Sequence, residues 1–298
     1  MKRVKLLHNP RAGDEKHDKD MLTSLLKANG LECNYASLKE KGWNVFEPAS
    51  DFIAVAGGDG TIRKVIKELL RQKHNDKIWP IAVLPFGTAN NIARTLGLVG
   101  KTEDIIKSWR KEKIKKYDFG RAVYNGEVSF FLESVGYGIF PYLMREMKKT
   151  GKEETEDPEE KMKAALKLLH KITLSYIPRY CQLEIDGADY SGKFLLTEIM
   201  NTRSIGPNLI LAPNAATDDG ILNVVLVTEK DKDKFAGYLL NKLKDKEKTY
   251  KFSDIKAKQI KISWDGTHIH ADDKVIKFKN NTEVSIEIKS GLLEFIVT

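Results

Sequence analysis

The sequence predicts an N-terminal α/β domain with a parallel sheet, followed by a mostly antiparallel β-sandwich domain. At 298 residues the chain is longer than one ordinary domain and suits two. Apolar strands alternate with helical patterns at first, which is typical of a parallel sheet, and short strands with turn dipeptides follow, which is typical of antiparallel pairing. We therefore predict one domain over 1–118, with the C-terminal strand as an optional addition to its sheet, and a second domain over 119–298.

The N-terminal domain is predicted from four apolar strands and the helical patterns between them. The run at 51–56 (DFIAVA) is apolar almost throughout, so we expect both of its faces to be buried. Gly30 ends the first helical pattern. The predicted strands are 2–8, 31–36, 51–56 and 81–84, and the predicted helices are 15–29, 62–70, 89–96 and 102–110.

The second domain is predicted from hairpin dipeptides. Asn125-Gly126, Asp186-Gly187 and Asp265-Gly266 are all typical of tight turns between antiparallel strands. The third is predicted to join 257–264 to 267–271. The other predicted strands are 117–124, 127–135, 193–200, 220–228, 274–279, 283–289 and 292–297, with helices at 141–149, 159–174 and 231–246.

Composition limits the class of protein. Lys plus Arg is 50 and Asp plus Glu is 42, so the net charge is 50 − 42 = +8, which suits phosphate-bearing or anionic partners. We expect no nucleic-acid polymer among them. Cys33 and Cys181 lie far apart, which excludes a disulfide framework and a CxxC metal motif. No apolar run approaches the ~20 residues of a transmembrane helix. We expect a cytoplasmic protein with peripheral contact to the inner membrane surface.

Two charged segments lie in the middle of the chain. The run at 148–161 (KKTGKEETEDPEEK) is predicted to be a flexible surface loop. The residues after it, 161–172, form a basic amphipathic helix pattern. Such a helix either lies on an anionic membrane or packs its apolar face on the protein, and the sequence leaves both open.

The sharpest motif is Gly57-Gly58-Asp59-Gly60-Thr61, which follows a buried strand and opens a helix. This arrangement places backbone N–H groups and a helix N-terminus beside a ligand, which suits phosphate oxygens. The Asp59 carboxylate is able to hold Mg²⁺ on those phosphates. The alternative is a tight turn in which Thr61 caps the helix.

Two further polar loops follow predicted strands. Residues 85–91 (PFGTANN) come after the strand at 81–84, and the turn at 9–13 (NPRAG) comes after the first strand. Ligands of open α/β sheets bind at the carboxyl ends of the strands, so we expect the three loops to form one site. No GxGxxG or GxxxxGK[ST] pattern occurs at these positions, so neither a dinucleotide fingerprint nor a Walker loop is indicated.

The ordered set of motifs resembles the catalytic family of diacylglycerol kinases, which includes soluble bacterial lipid kinases and the sphingosine kinases. The set comprises the Asn-Pro-x-x-Gly turn, GGDGT and the PxGTxN loop. The likeness continues at 211–225 (LAPNAATDDGILNVV) and at 290–297 (SGLLEFIV). GGDGT alone also occurs in NAD kinases and phosphofructokinases, whereas the ordered set is specific.

The resemblance implies an ATP- and Mg²⁺-dependent lipid kinase. Its first domain binds the nucleotide, its second takes the lipid acceptor, and the reaction lies in the cleft between them. The resemblance assigns nucleotide contacts to Asn9, Pro10, Gly13, Ser37, Gly57, Gly58, Asp59, Gly60, Thr61, Gly87, Thr88 and Asn90. It also implies a structural Mg²⁺ held by the Asp219 carboxylate and the main-chain carbonyls of Ala216 and Ile221. The alternative for this segment is a plain acidic turn before a strand.

The chain departs from the family pattern at three places. Arg63 stands where the family has Asn, and Asn91 stands where it has a carboxylate. The third departure is the Asp-Gly-Glu motif, whose Glu is thought to deprotonate the acceptor hydroxyl, and which this chain lacks.

Two segments compete for the place of that motif. Asp265-Gly266-Thr267 keeps the Asp-Gly pair but lies far from the final strands and fits a hairpin turn better. We prefer the segment 272–274, in which Lys274 occupies the position of the missing Glu. The predicted base is Asp273, followed by Asp272 and then His270, with Asp59 as the catalytic carboxylate on the nucleotide side. The alternative for His268 and His270 is that both are exposed strand residues.

Three functions remain open from the sequence. The first is a kinase that phosphorylates a hydroxyl of diacylglycerol or a related lipid at the membrane surface. The second is a catalytically weak relative that binds nucleotide or lipid as a regulator, which the altered Asp-Gly-Glu segment favours. The third is an NAD kinase, against which the Asn-Pro-x-x-Gly turn and the segment at 211–225 argue. The oligomeric state is not predicted, and a homodimer is one option.

Overall fold

The computed structural model describes residues 1–13, 17–72, 79–149, 157–246 and 250–298. Their contacts divide the chain into two compact units. The first contains Met1–Tyr117 and Gly291–Thr298, with Asp157 and Pro158, and the second contains 118–149 and Glu159–Ser290. The predicted flexible loop at 148–161 falls mainly on residues 150–156, which lie outside the described residues.

The first unit contains a parallel sheet with strand order β2-β1-β3-β4. Every residue of β3 is buried, as its apolar sequence predicts, because helices cover the sheet and both faces of the strand carry side chains into a core. Phe295, near the end of the chain, pairs in parallel with Ile81. The elements are β1 (Lys2–His8), α1 (Lys19–Ala28), β2 (Leu31–Ser37), β3 (Phe52–Gly57), α2 (Asp59–Arg71), β4 (Ile81–Pro85), α3 (Asn91–Thr95) and α4 (Thr102–Ser108), with a 3₁₀ turn at Trp109–Lys111.

The second unit is built mainly from antiparallel strands and three helices. Strand β5 begins and strand β18 ends in the first unit. The strands are β5 (Ile114–Tyr124), β6 (Glu127–Phe131), β7 (Ser134–Gly138), β8 (Arg179–Ile185), β9 (Ala188–Asp189), β10 (Gly192–Met200), β11 (Ser204–Ile205), β12 (Leu209–Ile210), β13 (Leu222–Thr228), β14 (Ser253–Ala257), β15 (Gln259–Trp264), β16 (His268–Ala271), β17 (Lys274–Lys277) and β18 (Val284–Ile296). The helices are α5 (Ile139–Lys149), α6 (Pro158–Ser175) and α7 (Lys232–Leu243), with a 3₁₀ turn at Glu229–Asp231.

Strand β10 is the centre of the second unit. It pairs antiparallel with β7, β8 and β13, and it is buried on both faces. Phe194 and Ile199 pack in one apolar core, whereas Leu195, Leu196 and Met200 pack in another. A strand between two cores has no face exposed to water, so any polar side chain on it needs an internal partner.

Two of the three predicted hairpins are present. Asn125-Gly126 joins β5 to β6, and Asp186-Gly187 joins β8 to β9, with all four residues at positive φ as this turn requires. The prediction for Asp265-Gly266 is wrong, because β15 pairs with β8 and β18 and not with β16. Strand β16 pairs instead with β7 and β17, so the tight turn of this region is at 272–273.

Helix α6 contains the basic amphipathic segment. Its apolar residues Leu166, Leu169 and Ile172 are buried in the same core as Leu195 and Leu196 of β10. The apolar face therefore packs on the protein, which decides between the two alternatives that the sequence leaves open. Within the described part of the chain, no helix has both the length and the apolar composition needed to cross a membrane.

Candidate functional site

The two glycine loops of the first unit touch through their main chains. Strands β3 and β4 are adjacent and parallel, with Gly57 paired to Pro85, so both loops leave the same edge of the sheet. A Cβ added to Gly58 would lie 2.7 Å from the Gly87 Cα, and one added to Gly87 would lie 2.3 Å from the Gly58 Cα. These distances are shorter than any van der Waals contact, so the approach of the two loops requires glycine at both positions.

The first loop joins the same cluster. The Asn9 backbone N–H donates to the Ala56 carbonyl at 2.9 Å, and Asn9 Nδ2 donates to Thr61 Oγ1 at 3.1 Å. Gly13 has φ +60°, and a Cβ on it would lie 2.2 Å from the Phe86 carbonyl oxygen. The structure therefore brings the three predicted loops together at the carboxyl edge of the sheet.

The Asp59 carboxylate bridges the two glycine loops. Asp59 is the first residue of α2, and its two oxygens accept the backbone N–H groups of Asn91 at 2.9 Å and Ile92 at 3.0 Å. These N–H groups belong to the first turn of α3, so Asp59 caps a helix that follows the other loop. Asp59, to which the sequence assigns metal binding and catalysis, thus also holds the glycine loop at 85–91 in place.

Asn90 has an internal part in its own loop. It adopts φ +52°, accepts the Gly87 N–H at 2.9 Å, and donates through Nδ2 to the carbonyls of Pro85 at 3.1 Å and Gly87 at 2.6 Å. All the hydrogen bonds that its side chain makes in this loop go to the main chain. Asn90 therefore shapes the Gly87 turn. Its place in the motif is equally consistent with this function and with nucleotide contact.

The remaining predicted nucleotide residues lie at the same edge. Ser37 ends β2 beside His8 in the parallel register, is buried, and accepts the Lys39 N–H at 3.3 Å. Gly60 is exposed in the first turn of α2, and Pro10 and Thr88 are half-buried in their loops.

A chain of hydrogen bonds that the sequence analysis missed supports these loops from inside. His8 Nδ1 lies 3.0 Å from the Tyr35 hydroxyl, and His8 Nε2 lies 2.9 Å from His17 Nδ1. His17 Nε2 lies 2.9 Å from the Ala12 carbonyl, and its ring stacks on Phe86 at a centroid distance of 4.2 Å. Thus His17 links the first loop, through Ala12, to the second glycine loop, through Phe86.

The Ala12 carbonyl at one end of this chain fixes the position of the protons on both rings. The Ala12 carbonyl can only accept, so His17 donates to it from Nε2 and accepts at Nδ1 from His8. His8 Nδ1 then accepts a hydrogen bond from the Tyr35 hydroxyl. In this arrangement all four ring nitrogens have hydrogen-bond partners while both rings are neutral. Burial, together with the charge that His17 would carry, lowers the pKa of His8 from 6.5 to about 4.

In the second unit, Asp272 forms the turn between β16 and β17. It has φ +51°, and its carboxylate accepts the N–H groups of Leu132 at 3.0 Å, Glu133 at 2.8 Å and Ser134 at 3.1 Å. These bonds hold the segment before β7 against the turn. They occupy the carboxylate that the sequence analysis names as the second choice of base. Asp273 is exposed on the same turn, and exposed Lys274 begins β17.

His270 is buried, which rules out the interpretation that it is an exposed strand residue. Strands β10, β7 and β16 place Glu198, Gly136 and His270 side by side, and a Cβ on Gly136 would lie 2.3 Å from Glu198 Oε2. The absence of that side chain lets His270 Nε2 approach the two Glu198 oxygens at 2.9 and 3.0 Å. His270 Nδ1 lies 2.9 Å from the Asp272 carbonyl. His268, by contrast, is half-buried near Arg145.

The buried His270 ring is fully hydrogen-bonded when it carries a proton on each nitrogen. Both ring nitrogens face oxygen acceptors, Glu198 on one side and the Asp272 carbonyl on the other. Burial lowers the pKa of His270, but the Glu198 charge and the bonds to Glu198 and the Asp272 carbonyl together raise it above 6.5. The stability that this pair contributes is thus complete below pH 6.5 and is lost as the pH rises through the folded-state pKa.

The predicted metal segment lies beside a buried carboxylate that the sequence analysis did not name. Asp118 accepts the Gly220 N–H at 2.7 Å and donates its own N–H to the Thr217 carbonyl. Asp219 is exposed and accepts the Ile221 N–H at 3.1 Å. The Thr217 hydroxyl is buried and has no hydrogen-bond partner among the described residues. Two carboxylates, main-chain carbonyls and an unpartnered hydroxyl are oxygen donors of the kind that Mg²⁺ takes. No cluster of three His, Cys, Asp or Glu within the described ranges suits a metal.

Comparison with known proteins gives two family matches, one in each half of the chain. Residues 3–122 match the family described as diacylglycerol kinase catalytic domain, and residues 153–277 match the YegS C-terminal NAD kinase beta sandwich-like domain. The chain is 27% identical over 256 residues to a diacylglycerol kinase of Bacillus subtilis (79% of this chain, 77% of that protein). It is 26% identical over 176 residues to a probable lipid kinase, YegS-like, of Shewanella frigidimarina (59% of this chain, 54% of that protein).

A solved structure gives the same result for the fold. The crystal structure of a diacylglycerol kinase from Bacillus anthracis matches with a TM-score of 0.73 and 25% identity, over 100% of this chain and 97% of that chain. The predicted fold class and the family resemblance are thereby confirmed. The chain thus carries a diacylglycerol kinase catalytic domain at 3–122 and a YegS C-terminal domain at 153–277, and its relatives are named diacylglycerol kinase and probable lipid kinase.

The capping role of Asp59 leads to a test of stability and activity together. We expect Asp59→Ala to lower the free energy of unfolding by ~1–2 kcal/mol, because α3 loses a charged cap, and to abolish ATP-dependent turnover. Asp51 is the matched control, since its carboxylate also accepts a backbone N–H, that of Arg3, but stands before β3 at the opposite edge of the sheet. Asp51→Ala should keep turnover. Urea unfolding with unchanged stability in Asp59→Ala would contradict the capping role.

The histidine chain predicts a loss of stability in acid. The pKa of His8 is lowered in the folded state, so its contribution is complete above pH 6.5 and is lost as the pH falls through about 4. We expect His8→Leu to be less stable than the parent at neutral pH, with the difference shrinking between those two values. Unfolding by urea at a series of pH values measures this difference. If the difference in unfolding free energy between His8→Leu and the parent stays constant across the pH series, the lowered pKa of His8 is contradicted.

Proposed function

We propose that the protein transfers the γ-phosphoryl group of ATP to a hydroxyl of diacylglycerol or a related lipid, with Mg²⁺ bound to the nucleotide. The observation that carries this proposal is the contact of Gly58 with Gly87, beside which Asp59 joins the two loops. The relatives named diacylglycerol kinase and probable lipid kinase support a lipid acceptor.

The nucleotide phosphates are assigned to the carboxyl edge of the first sheet. Helix α2 begins directly after the glycines, and the first N–H groups of a helix have no partner within it. With the helix dipole, they favour an anionic ligand at this end. The proposed nucleotide contacts are Asn9, Pro10, Gly13, Ser37, Gly57, Gly58, Asp59, Gly60, Thr61, Gly87, Thr88 and Asn90.

Two positions are proposed for Mg²⁺. Asp59 would hold an ion on the nucleotide, and this ion would neutralise charge on the transferred phosphoryl group. Asp219, with the main-chain carbonyls of Ala216 and Ile221, would hold a second ion with a structural function. The buried Asp118 carboxylate and the unpartnered Thr217 hydroxyl support an oxygen-seeking cation near that segment.

Asp273 is the proposed base on the acceptor side. Asp272 accepts three backbone N–H groups, and His270 is enclosed with Glu198, so both groups hold the turn in its fold. Asp273 is exposed on the same turn and is a carboxylate next to the position of the missing Glu. Removal of a proton from the acceptor hydroxyl would make its oxygen the nucleophile, while Asp272 keeps the turn in place.

A weakly active relative that binds nucleotide or lipid as a regulator is the second candidate function. The observation that favours it is Lys274, an exposed ammonium at the place where the family has the catalytic Glu. Phosphoryl transfer depends mostly on positioning and charge, so the loss of a base lowers the rate without abolishing the reaction.

Transfer of labelled phosphate from ATP distinguishes these functions. The protein is incubated with ATP and Mg²⁺ and, separately, with diacylglycerol, ceramide, sphingosine and NAD, the lipids in detergent micelles. We expect a phosphorylated glycerolipid that does not form when EDTA replaces Mg²⁺. Label on NAD would contradict the proposal and indicate an NAD kinase. ATP binding without transfer to any acceptor would favour the regulatory relative.

Asp273→Asn tests the base directly. We expect kcat to fall by roughly 10²–10⁴, because the acceptor hydroxyl loses the group that takes its proton, with the melting temperature unchanged. Asp265→Asn is the matched control, since Asp265 is an exposed carboxylate in the competing placement of the motif. It should keep activity. If Asp273→Asn is as active as the parent, the base is not at this turn.

A further inference from the structure

Exposed apolar side chains collect where α6 passes into β8. Ile177 is 79% exposed, more than any other large apolar residue in the described part of the chain except Met1. Leu174 at 52% and Tyr180 at 50% stand on either side of it in sequence. Tyr142 of α5, at 41%, joins them because its ring lies 5.9 Å from that of Tyr176. We call Tyr142 and residues 174–180 the apolar tip.

The apolar tip is fixed to the unit beneath it. Tyr176 packs against the core that contains α6, and its carbonyl accepts a hydrogen bond from Lys232 Nζ at 3.1 Å. Arg179 Nη1 donates to the Asp265 carbonyl at 2.9 Å. Pro178 restricts its own φ and favours an extended backbone at Ile177. Because both flanks are tied, Ile177 is presented to solvent by a rigid connection.

The chain leading to the apolar tip is uniformly basic. Residues 161–180 contain no Asp or Glu, and their basic residues are Lys161, Lys163, Lys167, Lys171 and Arg179. Lys171 is one turn before Leu174 on α6, and Lys193 is paired with Tyr180 across the strands. Arg179 contacts Asp265 through the main-chain carbonyl, which carries no net charge. The apolar side chains therefore lie among cations.

The apolar face of α6 is not available for a further partner, since Leu166, Leu169 and Ile172 are buried in the core. At this end of α6, apolar contact with a partner outside the unit would therefore come from the apolar tip. Four partly exposed side chains supply much less than the ~800 Å² that each partner buries in a stable protein interface. Tyrosine rings beside aliphatic residues, surrounded by lysine and arginine, suit the boundary of an anionic bilayer.

We propose that the apolar tip inserts into an anionic lipid bilayer, with Ile177 as its deepest residue and Lys171, Arg179 and Lys193 on the lipid phosphates. This inference rests on the proposed function, in which the acceptor is a membrane lipid. Of the two alternatives that the sequence leaves open for α6, its apolar face packs on the protein, and the membrane contact is assigned instead to the connection at its end.

Vesicle co-sedimentation tests the proposal. The full chain is mixed with vesicles of phosphatidylcholine and phosphatidylglycerol, and with vesicles of phosphatidylcholine alone. We expect binding to the anionic vesicles that weakens as salt is added. Ile177→Ser should weaken that binding roughly tenfold or more, since the variant loses the burial of one large apolar side chain.

Ile210→Ser is the matched control. Ile210 is the same residue type, is 50% exposed, and belongs to a hairpin that meets α6 near Met162, at the other end of the helix. It should bind vesicles like the parent. If Ile177→Ser also binds like the parent, or if Ile210→Ser loses as much, the proposed insertion is wrong. Unchanged melting temperatures are expected for both, because both side chains lie at the surface.

A kinase assay separates this inference from the proposed function. With diacylglycerol in detergent micelles, Ile177→Ser should match the parent, whereas with diacylglycerol in anionic vesicles its rate should fall with its binding. An equal loss in micelles would overturn the insertion by placing Ile177 in the acceptor site or the fold. If the parent phosphorylates no lipid in either form, the proposed function fails, and the vesicle-binding result decides the insertion alone.

Discussion

The close approach of the main chains at Gly58 and Gly87 is the constraint on which the candidate nucleotide site depends. Parallel pairing of β3 with β4 brings both loops to one edge of the sheet, and the missing side chains let them touch. Once they touch, the Asp59 carboxylate reaches the first turn of α3, and Gly13 reaches the Phe86 carbonyl. A side chain at either glycine would separate the loops and break the cap on α3. The position of the Asp59 carboxylate therefore depends on the close approach of the two backbones.

Two buried histidine networks stabilise the segments around the candidate sites, and they respond to pH in opposite ways. In the first unit, the pKa of His8 is lowered, so acid disrupts its hydrogen bond to His17. In the second unit, the pKa of His270 is raised, so alkali disrupts its pairing with Glu198. The difference follows from the partners: His8 accepts a hydroxyl proton and donates to an imidazole, whereas both nitrogens of His270 face oxygen acceptors. Each network thus fixes a loop over a limited range of pH.

The sequence predicts the glycine loops because their signals are local: a buried strand, a glycine turn and a helix lie within a few residues of each other. It also predicts Asn125-Gly126, whose strands are neighbours in the chain. It fails at Asp265-Gly266, because β15 takes partners from elsewhere in the chain and leaves the local turn signal without a hairpin. The bonds from Asp272 to Leu132 and from His270 to Glu198 join residues 140 and 72 positions apart, and no local pattern specifies such pairs. The one signal is Gly136 of β7 opposite Glu198 of β10, and it can be recognised only when the register of the two strands is known.

ATP binding by a glycine variant tests the central claim most directly. Isothermal titration with Mg·ATP would compare the parent with Gly87→Ala and with Gly237→Ala. Gly237 lies in α7, where, among the described residues, an added Cβ would meet only the Tyr250 hydroxyl at 3.8 Å, an ordinary contact. We expect Gly87→Ala to weaken ATP binding at least about tenfold, a cost of about 1.4 kcal/mol, because the two loops no longer meet. Gly237→Ala should bind like the parent. Parent-like ATP affinity in a folded Gly87→Ala protein would contradict the account, because the nucleotide would then not depend on the contact between the loops.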